Sequence, residues 1–141
     1  MALVLLKLML HLIENNGLEV LLDVAAVEDR LPSVAFNIRI NWRMPYQKVS
    51  IEIKECWFKC SEFDSFLVEL KSLIKNEVGE ITLHDLSKNP VLNLIKSENT
   101  LITKLFAQDT ATMGKTVLEV NGYSSELEEI RANLESFEKW W

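Results

Sequence analysis

Apolar and polar residues alternate with a period of two through most of the first half of the chain. Leu6, Leu8, Leu10 and Leu12 fall on one side of the N-terminal segment, and Lys7, Met9 and His11 on the other. Lys7, His11 and Glu14 also share helical spacing, but Asn15-Asn16-Gly17 follows, and Asn-Gly is the strongest short-range hairpin signal. A strand is therefore expected, returning antiparallel over 18–25. Positions 29–33, with Pro32, read as a loop. Val34, Phe36, Ile38, Ile40 and Trp42 then alternate with Ala35, Asn37, Arg39, Asn41 and Arg43. After a turn at Met44-Pro45-Tyr46, Val49, Ile51, Ile53 and Trp57 alternate with Lys48, Ser50, Glu52 and Lys54. Such patterns mean strands with one buried and one wet face, as in an antiparallel sheet.

The period then changes. Phe63, Phe66, Leu67, Leu70 and Ile74 form a single apolar stripe at helical spacing, with Ser61 placed as its cap and Glu62 and Asp64 at its positive end. Residues 76–79 should end that helix. Short strands follow over 80–86, 91–96 and 101–108, and a last one over 116–121, with Asn121-Gly122 as a turn. Ser125 with Glu128 reads as a capping box for a final helix whose apolar stripe is Leu127, Ile130, Leu134 and Phe137. The order predicts an α+β fold: a mainly antiparallel β-sheet of six to eight strands with two helices packed on it. No solenoid-type repeat and no linker divides the chain, so a single domain over 1–141 is expected.

Charge narrows the function. The chain of 141 residues carries 15 Lys and Arg against 21 Asp and Glu, a net charge of −6. An acidic domain suits neither nucleic acid nor an anionic membrane surface as a partner, and favours a basic protein. The two cysteines, Cys56 and Cys60, make no disulfide framework and point to a reducing cytosol. The apolar stretch 1–13 lacks a basic leader and a cleavage site, and is too short to span a bilayer, so core is the reading preferred over signal.

Chemistry is sparse. Residues 109–116 end in Gly114-Lys115-Thr116 as a P-loop does, but Asp109 stands where that pattern needs its first glycine, and a strand follows instead of a helix. His11 and His84 are the candidate bases, each on an alternating strand, and neither is spaced with a cysteine as a zinc ligand. Neither Glu62 with Asp64 nor Glu128 with Glu129 sits in an apolar setting that would split two carboxylate pKa values. No enzyme, metal or cofactor is expected. A hydrolase reading would depend on His11 or His84. The four tryptophans, Trp42, Trp57, Trp140 and Trp141, read as core or edge packing, and the terminal pair, where exposed, could anchor a partner.

Several segments together resemble the immunity proteins that bacteria pair with toxins, in particular the WapI-type family and those of contact-dependent growth inhibition. The carriers are the hairpin Glu14-Asn15-Asn16-Gly17-Leu18-Glu19-Val20, the strand around Asn41-Trp42, the strand-to-helix segment 58–74, the short strands after Gly79 and the acidic closing helix. The resemblance implies a cytoplasmic inhibitor that binds one cognate toxin C-terminal domain, one to one, and occludes its active site. Many such toxins are nucleases, whose basic clefts an acidic surface would occupy by mimicking phosphate. No family motif marks contact residues. The charge clusters supply candidates: Asp23, Glu28 and Asp29 near the second strand, and Glu126, Glu128, Glu129 and Glu135 on the last helix. The alternative is a small-molecule or peptide-binding regulatory module using the face of Asn37, Arg39, Asn41 and Arg43.

Overall fold

Asn16 and Gly17 both take positive φ, 50° and 77°, which is the signature of the two-residue type I′ hairpin turn. A Cβ at Gly17 would meet the Arg43 carbonyl oxygen at 2.5 Å, so the position needs glycine twice over. That turn joins β1 (Met9–Asn15) to β2 (Leu18–Glu28), and β3 (Ser33–Arg43) and β4 (Lys48–Lys59) continue an antiparallel meander. Helix α1 (Cys60–Lys75) follows, then a second meander of β5 (Val78–His84), β6 (Pro90–Ser97), β7 (Thr100–Gln108) and β8 (Lys115–Tyr123), and last α2 (Glu126–Ser136). This computed structural model describes residues 9–109 and 111–137. The expected alternation at Leu6, Lys7 and Leu8 and the Trp140-Trp141 pair lie outside the described residues.

The fold is α+β, with eight strands and two helices as expected, and the strands divide into two four-stranded sheets. The chain thus runs ββββα twice. Corresponding contacts recur in the two halves. The Cys60 N–H donates to the Pro32 carbonyl at the start of α1, and the Ser124 N–H to the Asn99 carbonyl just before α2, both at 2.9 Å. The buried stripes match in spacing as well, Phe63, Phe66, Leu70 and Leu73 on α1 against Leu127, Ile130, Leu134 and the half-buried Phe137 at the end of α2.

Each helix runs beside an edge strand. α1 lies along β5, with the Leu73 side chain against Gly79 at one end and Glu62 accepting the His84 backbone N–H at 2.9 Å at the other. α2 returns to β1, where Asn133 donates to the Leu12 carbonyl at 3.2 Å and Asn16 donates to Glu126. One continuous apolar cluster joins both sheets to both helix stripes.

Bulges account for the departures from strict alternation. A register shift after His11 leaves Leu12 and Ile13 both buried on β1. On β4 the shift falls at Lys54-Glu55, where Glu55 takes φ 49° and its N–H bonds to the Asn37 side chain at 3.0 Å. The extra residue reverses the phase. Phe58 is buried behind it beside Val34, and Trp57 shares the opposite face with its partner Ala35 rather than the face of Ile51 and Ile53.

The caps also differ from expectation. α1 begins at Cys60 with Lys59 at its cap position and no side-chain cap bond, so Ser61 is inside the helix. Ser125 has helical dihedrals (φ −60°, ψ −20°) and likewise makes no cap bond, and Glu128 turns to Arg131 instead of closing a capping box. Asn121 and Gly122 belong to β8, and the turn comes after Tyr123.

Candidate functional site

Helical spacing sends Phe63, Phe66, Leu70 and Leu73 inward and leaves the opposite side of α1 to Asp64, Val68, Glu69 and Lys71. The same geometry on α2 buries Leu127, Ile130 and Leu134 and exposes Glu128, Glu129 and Glu135. The helices meet where Lys71 reaches Glu135 at 3.1 Å, so their outer surfaces form one layer. The two helices as a whole carry seven carboxylates, of which Glu62 and Glu126 turn away from this layer, against three cations, Lys71, Lys75 and Arg131. Their net of four negative charges is most of the chain's −6. Val68, 69% exposed, is an apolar residue standing among these charges.

The carboxylates are not equally available. Arg131 bridges two of them, bonding Glu128 through Nε at 2.9 Å and Glu135 through Nη1 at 2.8 Å. Lys71 and then Arg131 hold the Glu135 carboxyl below its ordinary pKa, and the two glutamates push the guanidinium up. Glu126, half-buried, is turned to Asn16 and lies over Gly122. Glu129 is exposed and makes no ion pair or hydrogen bond among the described residues.

The second expected cluster is spread over two places. Asp23 is half-buried on the polar face of the first sheet, opposite Asn37. Glu28 ends β2 and Asp29 opens the turn after it, both exposed, with Glu28 accepting the Arg30 N–H at 3.1 Å.

Sequence reasoning missed a third acidic group. Glu62 and Glu69 of α1 face Glu80 and His84 of β5 across a groove of about 590 Å3. Asn93, only 6% exposed, donates to Glu80 at 2.9 Å and to Thr82 at 2.9 Å and fixes that wall. From the sequence Glu62 reads as a charge at the positive end of the helix dipole; its spacing from Glu69 on one α1 face is the available signal, but Glu80 comes from the next strand and needs the tertiary structure.

On the polar face of the first sheet, Ser50 donates to Asn41 at 2.8 Å and Asn41 to Glu19 at 3.4 Å, while Asn37 is engaged with Glu55. Arg39 and Arg43 are exposed there and make no ion pair among the described residues. Arg43 and Lys48 also line a cleft of about 580 Å3 with Glu19, Asn41 and Trp42.

His11 pairs with Glu14, and the His84 ring lies 3.8 Å from Glu62. Burial, aided by Asp85, pushes the Cys56 thiol up to about 12, and burial followed by Asp64 raises that of Cys60. Both are free thiols held in the protonated form at neutral pH. Of this string, Asp109 and residues 111–114 lie between β7 and β8, Lys115 and Thr116 open β8, and the Asp109 N–H donates to the Gly114 carbonyl at 2.8 Å. Among the described residues no group of three or more His, Cys, Asp or Glu is placed to hold a metal, and no helix is long and apolar enough to cross a membrane. No protein-family model, curated protein or solved structure matches the chain.

Proposed function

We propose that this protein is an immunity-type inhibitor that binds a cognate toxin domain one to one and covers its active site with the acidic layer of α1 and α2. The observation that carries the reading is the concentration of charge: the outer sides of the two helices carry Asp64, Glu69, Glu128, Glu129 and Glu135 against Lys71, Lys75 and Arg131, with Val68 exposed among them. A toxin that acts on nucleic acid has a cationic cleft. An anionic surface steers encounter with such a cleft and keeps substrate out, and an apolar residue within it slows dissociation. Glu69 and Glu129 are the carboxylates on this layer best placed to meet a partner. Glu128 and Glu135 would do so by exchanging Arg131 for a partner cation. Glu28 and Asp29 form a separate exposed pair that would add to the long-range field.

The test is co-expression with the product of the adjacent upstream reading frame, followed by isolation of a one-to-one complex and a toxicity assay. Affinity should fall steeply with added salt and with Glu69→Lys and Glu129→Lys together. A tight complex insensitive to both would keep the inhibitor and discard the acidic layer as its contact. Absence of any complex, with no protection from the toxin, would reject the reading.

A regulatory module binding a small anionic molecule or peptide is the second reading, favoured by the exposed Arg39 and Arg43 beside the cleft at Trp42. A ligand there raises the melting temperature with its saturation, and Arg43→Gln removes the rise.

A further inference from the structure

An open sheet must manage its edge strands, because their outward N–H and C=O groups are a template for another chain. The two sheets have four edges, β1, β4, β5 and β8. Three are blunted. β1 carries the bulge at Leu12, whose carbonyl is taken by Asn133, and α2 runs beside it. β5 is flanked by α1, and its register shifts at His84, whose N–H is taken by Glu62. β4 is broken by the bulge at Lys54-Glu55, and past it the Trp57 carbonyl accepts the Leu86 N–H at 2.6 Å.

β8 has none of these devices. Its pairing with β7 runs without a shift from Thr100–Tyr123 to Gln108–Lys115. The bonds from Asp109 N–H to Gly114 and from Ser124 N–H to Asn99 fix the phase of the ladder at both ends. Residues 116, 118, 120 and 122 therefore bond to β7, and Lys115, Val117, Glu119, Asn121 and Tyr123 turn N–H and C=O outward. Among the described residues these outward groups have no main-chain partner, and all five residues are exposed.

We propose that β8 is the edge at which a second copy of this chain pairs, antiparallel and centred on Val117, so that the second sheets of two molecules join into one. In that register Val117 faces Val117, and Lys115 of each copy faces Glu119 of the other, so the ion pair forms twice. The outer face of the sheet continues the match. Phe106 is the β7 neighbour of Val117, and Lys104 that of Glu119. Pairing therefore makes one row of Phe106, Val117, Val117 and Phe106 across the junction, and another of Lys104, Glu119 and the second copy's Lys115. Glu119 already meets Lys104 at 3.7 Å through one carboxylate oxygen, but its side chain stays 53% exposed and Lys115 approaches from the opposite side. Lys115 makes no ion pair among the described residues; its ammonium lies 5.8 Å from the Phe106 ring. Beyond Glu119 the second copy runs alongside residues 111–114, where a groove of about 660 Å3 lies between the start of β8 and residues 51–54 of β4.

Self-match is what favours a second copy over a foreign strand. Opposite Glu119, Val117 and Lys115 the edge calls for a base, an apolar residue and an acid at every second position. Read antiparallel, that complement is Lys115-Thr116-Val117-Leu118-Glu119 itself. Only the register centred on Val117 sets Lys115 opposite Glu119; centring on Glu119 sets two carboxylates face to face, and centring on Leu118 sets Val117 against Glu119. The paired stretch is short and each chain carries −6, so a weak dimer is expected. None of these residues belongs to the acidic helical layer, and the inference stands whatever that layer binds.

Sedimentation of the full chain up to about millimolar concentration tests this, with amide hydrogen exchange alongside. The mass should rise from monomer toward dimer, with slowing at Val117 and Glu119 that tracks it. Val117→Pro should hold the chain monomeric without loss of fold, because the Val117 N–H is outside the β7 ladder. Lys115→Glu and Glu119→Lys each set like charges opposite twice, and each should weaken the dimer by about two- to thirtyfold. Mixing those two variants in equal amounts should restore association, since every pair is then opposite in charge. Should Val117→Pro unfold the chain, the mixing experiment decides alone. A mass that stays monomeric, a dimer that both charge variants leave unchanged, or a mixture no more associated than its components would each overturn the proposal.

Discussion

Phe36→Ala tests the claim that the first sheet and both helices share one core. Phe36 is fully buried on β3, and its ring meets Phe58 of β4 at 5.9 Å, Phe63 of α1 at 5.3 Å and Phe137 after α2 at 6.3 Å. The pairs with Phe58 and Phe63 are edge-to-face, at 68° and 64°. Truncating a buried Phe costs about 3–5 kcal/mol, the spread reflecting how far the surroundings collapse into the void. Here the neighbours are anchored in three different places, on β4, on α1 and at the end of α2, and cannot all move in. Aromatic pairs add about 0.5–1.5 kcal/mol beyond area. The upper part of the range, about 4–5 kcal/mol, is therefore expected, or a fall in melting temperature of about 10–15 °C. Phe106 is the comparator: half-buried on the outer face of the second sheet with the Lys115 ammonium 5.8 Å from its ring, it should cost about 1–2 kcal/mol. Urea unfolding with unchanged slope gives both numbers, and a Phe36–Phe63 double-mutant cycle should give a coupling of about 0.5–1.5 kcal/mol. A Phe36→Ala cost below about 2 kcal/mol, or one no larger than that of Phe106→Ala, would refute a shared core.

Gly17→Ala should destabilise by more than about 1 kcal/mol in the same assay, since it meets both a φ of 77° and the Arg43 carbonyl, whereas Gly114→Ala, with only the Thr112 hydroxyl at 3.2 Å, should cost much less. The Glu135 carboxyl, held down by Lys71 and then Arg131, should titrate below its ordinary value by carbon-detected NMR and return toward it most in Lys71→Gln. Because its folded pKa is depressed, its contribution to stability is present above the unfolded carboxylate pKa and is lost as pH falls through the folded one. Iodoacetamide at pH 8 should modify Cys56 far more slowly in the native protein than in urea, since burial holds its thiol at about 12; equal rates would contradict that burial.

Much of the fold was legible because its signals are local. The Asn16-Gly17 turn, the even-numbered apolar ladder of β3 and the stripe of α1 each follow from a period or a dihedral preference carried by a few neighbouring residues. Positions that depended on a second segment were misread. Trp57 changed face because Asn37 on β3 accepts the N–H of the bulged Glu55, which period-two counting along β4 does not register. Ser61 and Ser125 looked like caps, but main-chain bonds from Cys60 to Pro32 and from Ser124 to Asn99 set where those helices begin.

The same division holds for the surface. The sequence by itself determined that the chain is acidic, α+β and built of antiparallel strands, since composition and hydrophobic period depend on no distant contact. Only the tertiary structure decided that the strands form two sheets, that α1 and α2 lie side by side and pool their charge, and that Arg131 and Lys71 occupy Glu128 and Glu135. Each of these is fixed by contacts between segments far apart in the chain, where burial and hydrogen bonding, acting across the whole core, select one pairing among many that local preference allows.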